Sequence, residues 1–144
     1  MVAMSISTTT HLNFRGEARA ALDHYAAVFG GEVQAFTFAQ GGSDRDRADG
    51  AVDDQVIWGG VTSPTGFSIM AFDVPPGRAY DQGTDAVYVS VRGDDPAEIT
   101  RFFDGLAEGG TVRAALGPAG FSPLYGMVTD RFGVTWVLDV VAAY

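Results

Sequence analysis

Alternating, helical and again alternating patterns of apolar positions follow one another along the chain, and the whole series occurs twice. Thr9 to Phe14 is β-rich and closes on Arg15-Gly16, which predicts a first strand. Glu17 to Phe29 places Ala18, Ala21, Leu22, Tyr25, Val28 and Phe29 at helical spacing, with Gly30-Gly31 as the stop. Glu32 to Ala39 is aromatic and β-branched and predicts a strand, whereas the polar, glycine-rich Gln40 to Asp54 predicts a loop. Gln55 to Thr62 and Phe67 to Val74 read as two strands joined by the turn-forming Ser63-Pro64-Thr65-Gly66.

After Pro75-Pro76-Gly77 the series restarts. Asp85 to Arg92 predicts a strand, and Asp94 or Asp95 caps a helix with Pro96 in its first turn. Ile99, Phe102, Phe103, Leu106 and Ala107 form its apolar stripe, and Gly109-Gly110 ends it. Strands at Val112 to Leu116, Tyr125 to Thr129 and Val134 to Val140 complete the second set. Short motifs recur with the pattern. Leu12-Asn13-Phe14-Arg15-Gly16 is answered by Val89-Ser90-Val91-Arg92-Gly93, and Val61-Thr62 with Gly66 by Val128-Thr129 with Gly133. Thirty residues separate Gly31 from Val61 but eighteen separate Gly110 from Val128, and the excess falls in the polar stretch from Gly41 to Asp53. Surface loops are where insertions are tolerated. The chain therefore reads as two strand–helix–strand–strand–strand units, about 9–74 and 85–141, within a single domain of 144 residues. A cleft between such units is an expected place for a ligand.

Composition narrows the chemistry. There is no cysteine, so disulfides, a thiolate nucleophile and cysteine-held zinc are excluded. All nine cations are arginines, set against 18 acids for a net charge of −9, which excludes a lysine Schiff base and disfavours nucleic acid as a partner. The first ten residues lack the basic start and apolar core of a secretory signal, and no apolar run is long enough to span a bilayer. A cytoplasmic location without membrane contact is the expectation. No glycine-rich nucleotide motif follows a strand.

The opening Leu12 to Gly16, the helix end Tyr25-Ala26-Ala27-Val28-Phe29-Gly30-Gly31, and Leu106-Ala107-Glu108-Gly109-Gly110 carry a resemblance, as does the run from Tyr125-Gly126 through Asp130-Arg131-Phe132-Gly133 to Trp136. Together they resemble the vicinal oxygen chelate superfamily of glyoxalases, bleomycin-resistance proteins and dioxygenases, and most of all its PhnB-like branch. The resemblance spans nearly the whole chain except the Gly41 to Asp53 loop and the ends. It implies an α+β fold of tandem βαβββ modules whose strands form a curved mixed sheet or open barrel with helices outside. It also implies a small-molecule ligand and, by family habit, a homodimer. The methyltransferase label that such relatives often bear finds no support in the motifs.

Metal-dependent members of that superfamily place four ligands in the cleft, two from each half. Those positions fall here on His11, on Met70 and Val137 (four residues beyond the hairpin glycines), and on Tyr88, or Ala86 by the other count. One histidine cannot hold a divalent metal alone, so no cofactor is expected. The alternative is a divalent-metal lyase, isomerase or dioxygenase in which Asp73 and Asp139, at matching strand ends, join His11. Strand-end aspartates more commonly satisfy backbone donors.

Other side chains complete the reading. His11 is a hydrogen-bonding group, a general base or a structural histidine, and His24 belongs at the surface or rim. Glu17 and Glu108 fit helix-end charges. Asp130 is expected to bond turn amides and Arg131 to pair with a carboxylate, with Arg15 and Arg92 acting alike in the two halves. Trp58, Phe67, Phe72, Tyr88, Phe121, Tyr125, Phe132 and Trp136 are mostly core, and a few line the ligand cleft. The expected cleft residues are His11, Asn13, Trp58, Met70, Phe72, Tyr88, Phe121, Tyr125 and Val137.

Overall fold

The structure, a computed structural model, describes residues 5–142. The chain divides into two compact units between Gln82 and Gly83. In the first unit β1 (His11–Phe14) leads into α1 (Ala18–Phe29) and β2 (Glu32–Thr37); two short helices follow, α2 (Phe38–Gly41) and α3 (Asp44–Ala48), and then β3 (Val56–Thr62) and β4 (Ser68–Asp73). The four strands form one open sheet in the order β1-β4-β3-β2, with β1 and β4 parallel and the other neighbours antiparallel. The second unit holds β5 (Val89–Gly93), α4 (Pro96–Ala107), β6 (Thr111–Ala119), β7 (Ser122–Thr129) and β8 (Thr135–Val140). Its sheet runs β5-β8-β7-β6, again with only the first pair parallel. Each half is thus βαβββ, as the repeat predicts, and neither sheet closes on itself.

Strand alternation gives each sheet one face under its helix and one open face. Ala18, Ala21, Leu22, Tyr25 and Phe29 of α1 are buried with Val61, Ile69 and Ala71 of the sheet. Each large side chain buried there contributes on the order of 1.5–3 kcal/mol. Ile99, Phe103 and Leu106 of α4 cover Val128, Trp136 and Leu138 in the same way. A glycine permits the close approach in both halves. A Cβ on Gly59 would lie 2.5 Å from Leu22 Cδ1, and one on Gly126 would lie 2.8 Å from Phe103 Cε2.

The helices are anchored differently. Glu17, at the α1 N-cap, makes no side-chain cap bond. Asp73 supplies one from β4: its Oδ1 accepts from Gly16 N (2.7 Å) and Ala18 N (3.0 Å), and its Oδ2 from Val56 N (3.0 Å). A buried carboxylate at a helix N-terminus also meets the positive end of the helix dipole. In α4 the cap is local, with Asp95 accepting from Ala97 N at 3.0 Å.

Several boundaries differ from expectation. β2 ends at Thr37, and the segment from Gln40 to Asp54 contains half of α2 and all of α3. Each of these helices starts with a capping box, Thr37 with Gln40 and Ser43 with Asp46. Arg78 then fixes α3 by bonding Asp46 and Asp49, each at 2.9 Å. Ser43 backbone N–H and Arg78 together hold the Asp46 carboxyl below the ordinary carboxylate range. β6 and β7 are longer than expected, and their pairing is broken by bulges between Val112 and Ala119. β5 starts at Val89 rather than Asp85, because Asp85 takes a left-handed conformation (φ 58°) that interrupts an extended strand.

Candidate functional site

The open face of the first sheet gathers five of the expected residues. Pairing sets His11 beside Met70 and Asn13 beside Phe72. The His11 and Phe72 rings meet edge to face at 5.2 Å. His11 Nδ1 lies 3.0 Å from Asn13 Oδ1, within hydrogen-bond distance. Trp58 lies on the same face, its ring 6.0 Å from that of Phe36 on the neighbouring strand.

Register builds a hollow at the centre of this face. Gln34 pairs with Gly60, Gly60 with Met70, and Met70 with His11, so one row crosses all four strands. Gly60 is the one member without a side chain, and the Trp58 benzo ring reaches 3.5 Å from where its Cβ would stand. The result is a cavity of about 650 Å³ floored by β3 and walled by Trp58, Met70, Gln34, Glu32, Thr62 and Ser68. Its wall is part apolar and part hydrogen-bonding, which suits a small organic molecule. Glu32 and Gln34 were not singled out from the sequence; alternation on β2 puts both on the face of Phe36 and was the available signal.

The second sheet carries the remaining four expected residues in other settings. Tyr125 pairs with Asp139 and Met127 with Val137, so these lie on its open face. Phe121 sits near the β6–β7 turn, 54% exposed, its ring 5.1 Å from that of Tyr125. Tyr88 precedes β5, and its hydroxyl donates to Asp85 Oδ1 at 2.9 Å. Arg113 holds the same carboxylate through both of its terminal nitrogens and packs 5.7 Å from the Tyr88 ring centre. The hydrogen bonds from Arg113 and Tyr88 keep the Asp85 carboxyl below the usual range, and the bond to Asp85 raises the Tyr88 hydroxyl. The partner of Val137 across β5–β8 is Ser90, as His11 is the partner of Met70. Pairing thus moves the counterpart of His11 to Ser90, two residues from Tyr88, although the Arg-Gly motifs align His11 with Tyr88.

The donor set does not fit the divalent metal that some members of the resembling superfamily hold. Of the four positions, His11 offers nitrogen, Met70 a thioether, Val137 nothing, and the β5 position a hydroxyl. Asp73 cannot join His11: it pairs with Phe14 and faces α1, on the opposite side of the sheet, with both oxygens bonded to backbone. Asp139 is held by Arg92 Nε at 3.1 Å. Among the described residues no group of three or more histidines and carboxylates is placed to hold a metal ion.

Arginine roles differ from expectation as well. Arg15 bonds the Arg78 carbonyl and packs 5.3 Å from the Tyr80 ring centre, so it does not mirror Arg92. Arg131 donates to the Glu108 carbonyl at the end of α4 rather than to a carboxylate. Asp130 does bond turn amides, accepting from Phe132 N, Val134 N and Trp136 Nε1. His24 is half-buried on α1, beside Tyr25. Among the described residues no helix is long and apolar enough to cross a membrane.

Comparison with known proteins agrees with this architecture. The chain is 29% identical over 140 residues to Protein YjdN of Escherichia coli strain K12, covering 91% of this chain and 92% of that one. The crystal structure of protein PA1353 from Pseudomonas aeruginosa superposes with a TM-score of 0.81 at 32% identity, covering 95% of this chain and 98% of that one. A PhnB protein from Bacillus cereus gives a TM-score of 0.74 at 26% identity, covering 94% and 100%. Residues 10–138 match the Glyoxalase/Bleomycin resistance protein/Dioxygenase superfamily, and the chain belongs to that family.

Proposed function

We propose that this protein binds a small, partly apolar organic molecule on the open face of its first sheet, without a metal ion. The observation that carries the reading is the hollow over Gly60, where Trp58, Met70, Gln34 and Thr62 surround a volume large enough for a ligand of ten or more heavy atoms. Trp58 and Met70 offer contact area, and the amide and hydroxyl groups offer orientation. His11 adds a hydrogen-bonding imidazole beside Met70.

Fluorescence tests the reading directly, because the chain has two tryptophans and Trp136 is fully buried in the other half. Trp58 is half-buried and borders the cavity. A panel of small aromatic and aliphatic compounds, titrated with excitation selective for tryptophan, should contain saturating quenchers. Their dissociation constants should be unchanged in EDTA and their response lost in Trp58→Phe. A response that EDTA abolishes, or one that persists in Trp58→Phe, would overturn the proposal.

A further inference from the structure

The charge around the hollow has one sign, and this points to the class of ligand; the inference rests on the binding reading above. Among the described residues Glu32 is the one ionised side chain in the cavity wall, and none of the first unit's arginines lies on β1, β2, β3 or β4. The unit holds five arginines against ten acids; four of the five are bonded elsewhere, and the fifth, Arg45, lies exposed on α3, off the sheet. Arg78 bonds Asp46 and Asp49, Arg47 bonds Asp44, Arg19 bonds Asp23, and Arg15 bonds the Arg78 carbonyl. A carboxylate or phosphate entering the hollow meets no cation to offset its desolvation. A cation meets the Glu32 carboxylate at one end and the Trp58 indole at the other, and tryptophan is the best aromatic partner for a cation.

We propose that the hollow selects organic cations, amines or ammonium compounds with an apolar body, and that Glu32 is the specificity-determining residue. The geometry separates the two roles. Glu32 pairs with Thr62, four residues along β3 from Trp58, so the two Cα atoms stand about 14 Å apart by strand rise and strand spacing. A glutamate side chain spans part of that gap, and the remainder accommodates an aryl group on Trp58 and Met70 joined by a short alkyl chain to an ammonium. Thr62 and Ser68, paired across β3 and β4 next to Glu32, add hydroxyl acceptors for the ammonium protons.

Three probes with one body and different heads test this: 4-phenylbutylammonium, 4-phenylbutanol and 4-phenylbutanoate, each titrated against Trp58 fluorescence at neutral pH. The expected order is ammonium, then alcohol, then carboxylate, with the ammonium at least tenfold tighter than the alcohol and its advantage shrinking at high salt. Glu32→Gln should erase that advantage while leaving alcohol binding within twofold of wild type. An alcohol that binds as tightly as the ammonium would overturn the cation preference and leave the binding surface standing. An advantage that survives Glu32→Gln would show that the net charge of −9, not Glu32, attracts the cation, and would overturn the residue assignment. Failure of all three probes to bind would overturn this inference together with the reading on which it rests.

Discussion

The two sheets share a topology and differ on their open faces. Counted from the hairpin glycines Gly66 and Gly133, Gly60 in the first sheet answers to Met127 in the second, Trp58 to Tyr125, and Phe72 to Asp139. In the first sheet the glycine leaves a hollow beneath an indole ring. In the second, methionine stands at that place, and Asp139 is ion-paired with Arg92. Helix-side positions, by contrast, are alike: Gly59 and Gly126 both let a helix side chain press against β3 or β7. The helix-side face is thus alike in the two halves and the other face differs, so the proposed site is assigned to the first sheet.

The anchoring of the two helices offers the strongest way to break this comparison. Asp73 serves three amides, two of them in buried bonds, whereas Asp95 serves one exposed amide. Asp73→Ala should lower unfolding free energy by about 3–5 kcal/mol, a large part of the total for a domain of this size. Asp95→Ala should lower it by about 1 kcal/mol. Urea titrations followed by circular dichroism measure both, and equal losses would contradict the assigned roles.

The hairpin turns give the next largest effect. Asp130 and Ser63 stand at the same place in the two hairpins, since each donates its backbone N–H to the residue four positions on. Asp130 additionally binds the indole N–H of the buried Trp136. Asp130→Ala should therefore cost about 3 kcal/mol, and Ser63→Ala, which loses neutral hydroxyl bonds to Phe29 O and Thr65 N, about 1 kcal/mol. Loss of the Asp130 bond should also red-shift the emission of Trp136, seen cleanly in a Trp58→Phe background.

The smallest effect is a pH dependence in the segment before β5. The depressed pKa of Asp85 means that the folded state favours its ionised form. The stability it contributes is present above its unfolded-state value and is lost as pH falls through its lower folded-state value. In Asp85→Asn that part of the acid dependence should disappear. Unfolding curves of the two proteins between neutral pH and pH 3 should converge as the acid limit is approached, and parallel curves would show that the Arg113 contact adds nothing.

Residues with local signals were legible in the sequence. The helical spacing from Ala18 to Phe29, Asp95 with Pro96, and the hairpin at Ser63 to Gly66 all predict what is found, because cap, period and turn chemistry are properties of neighbours. The capping box of Thr37 with Gln40 was equally local, yet the glycine-rich surroundings obscured it. What sequence spacing did not reveal depends on distant partners. Asp85 leaves the strand conformation with an arginine 28 residues away bound to its carboxylate. The role of Asp73 depends on amides 55 and 57 residues back. Of the expected site residues, those on β1, β3 and β4 were brought together by alternation, which carries from sequence to structure without change. Tyr88 was misplaced by a motif alignment that strand pairing shifts by two residues.

The central claim is that absence of a side chain at position 60 creates the binding surface, and Gly60→Met tests it by giving the first sheet the residue of the second. Circular dichroism and the urea midpoint establish that the variant is folded. The measurement is then the Trp58 fluorescence titration with a probe that quenches the wild-type protein. The account predicts that Gly60→Met weakens the probe at least tenfold with the fold intact; unchanged affinity in a folded Gly60→Met protein would contradict it.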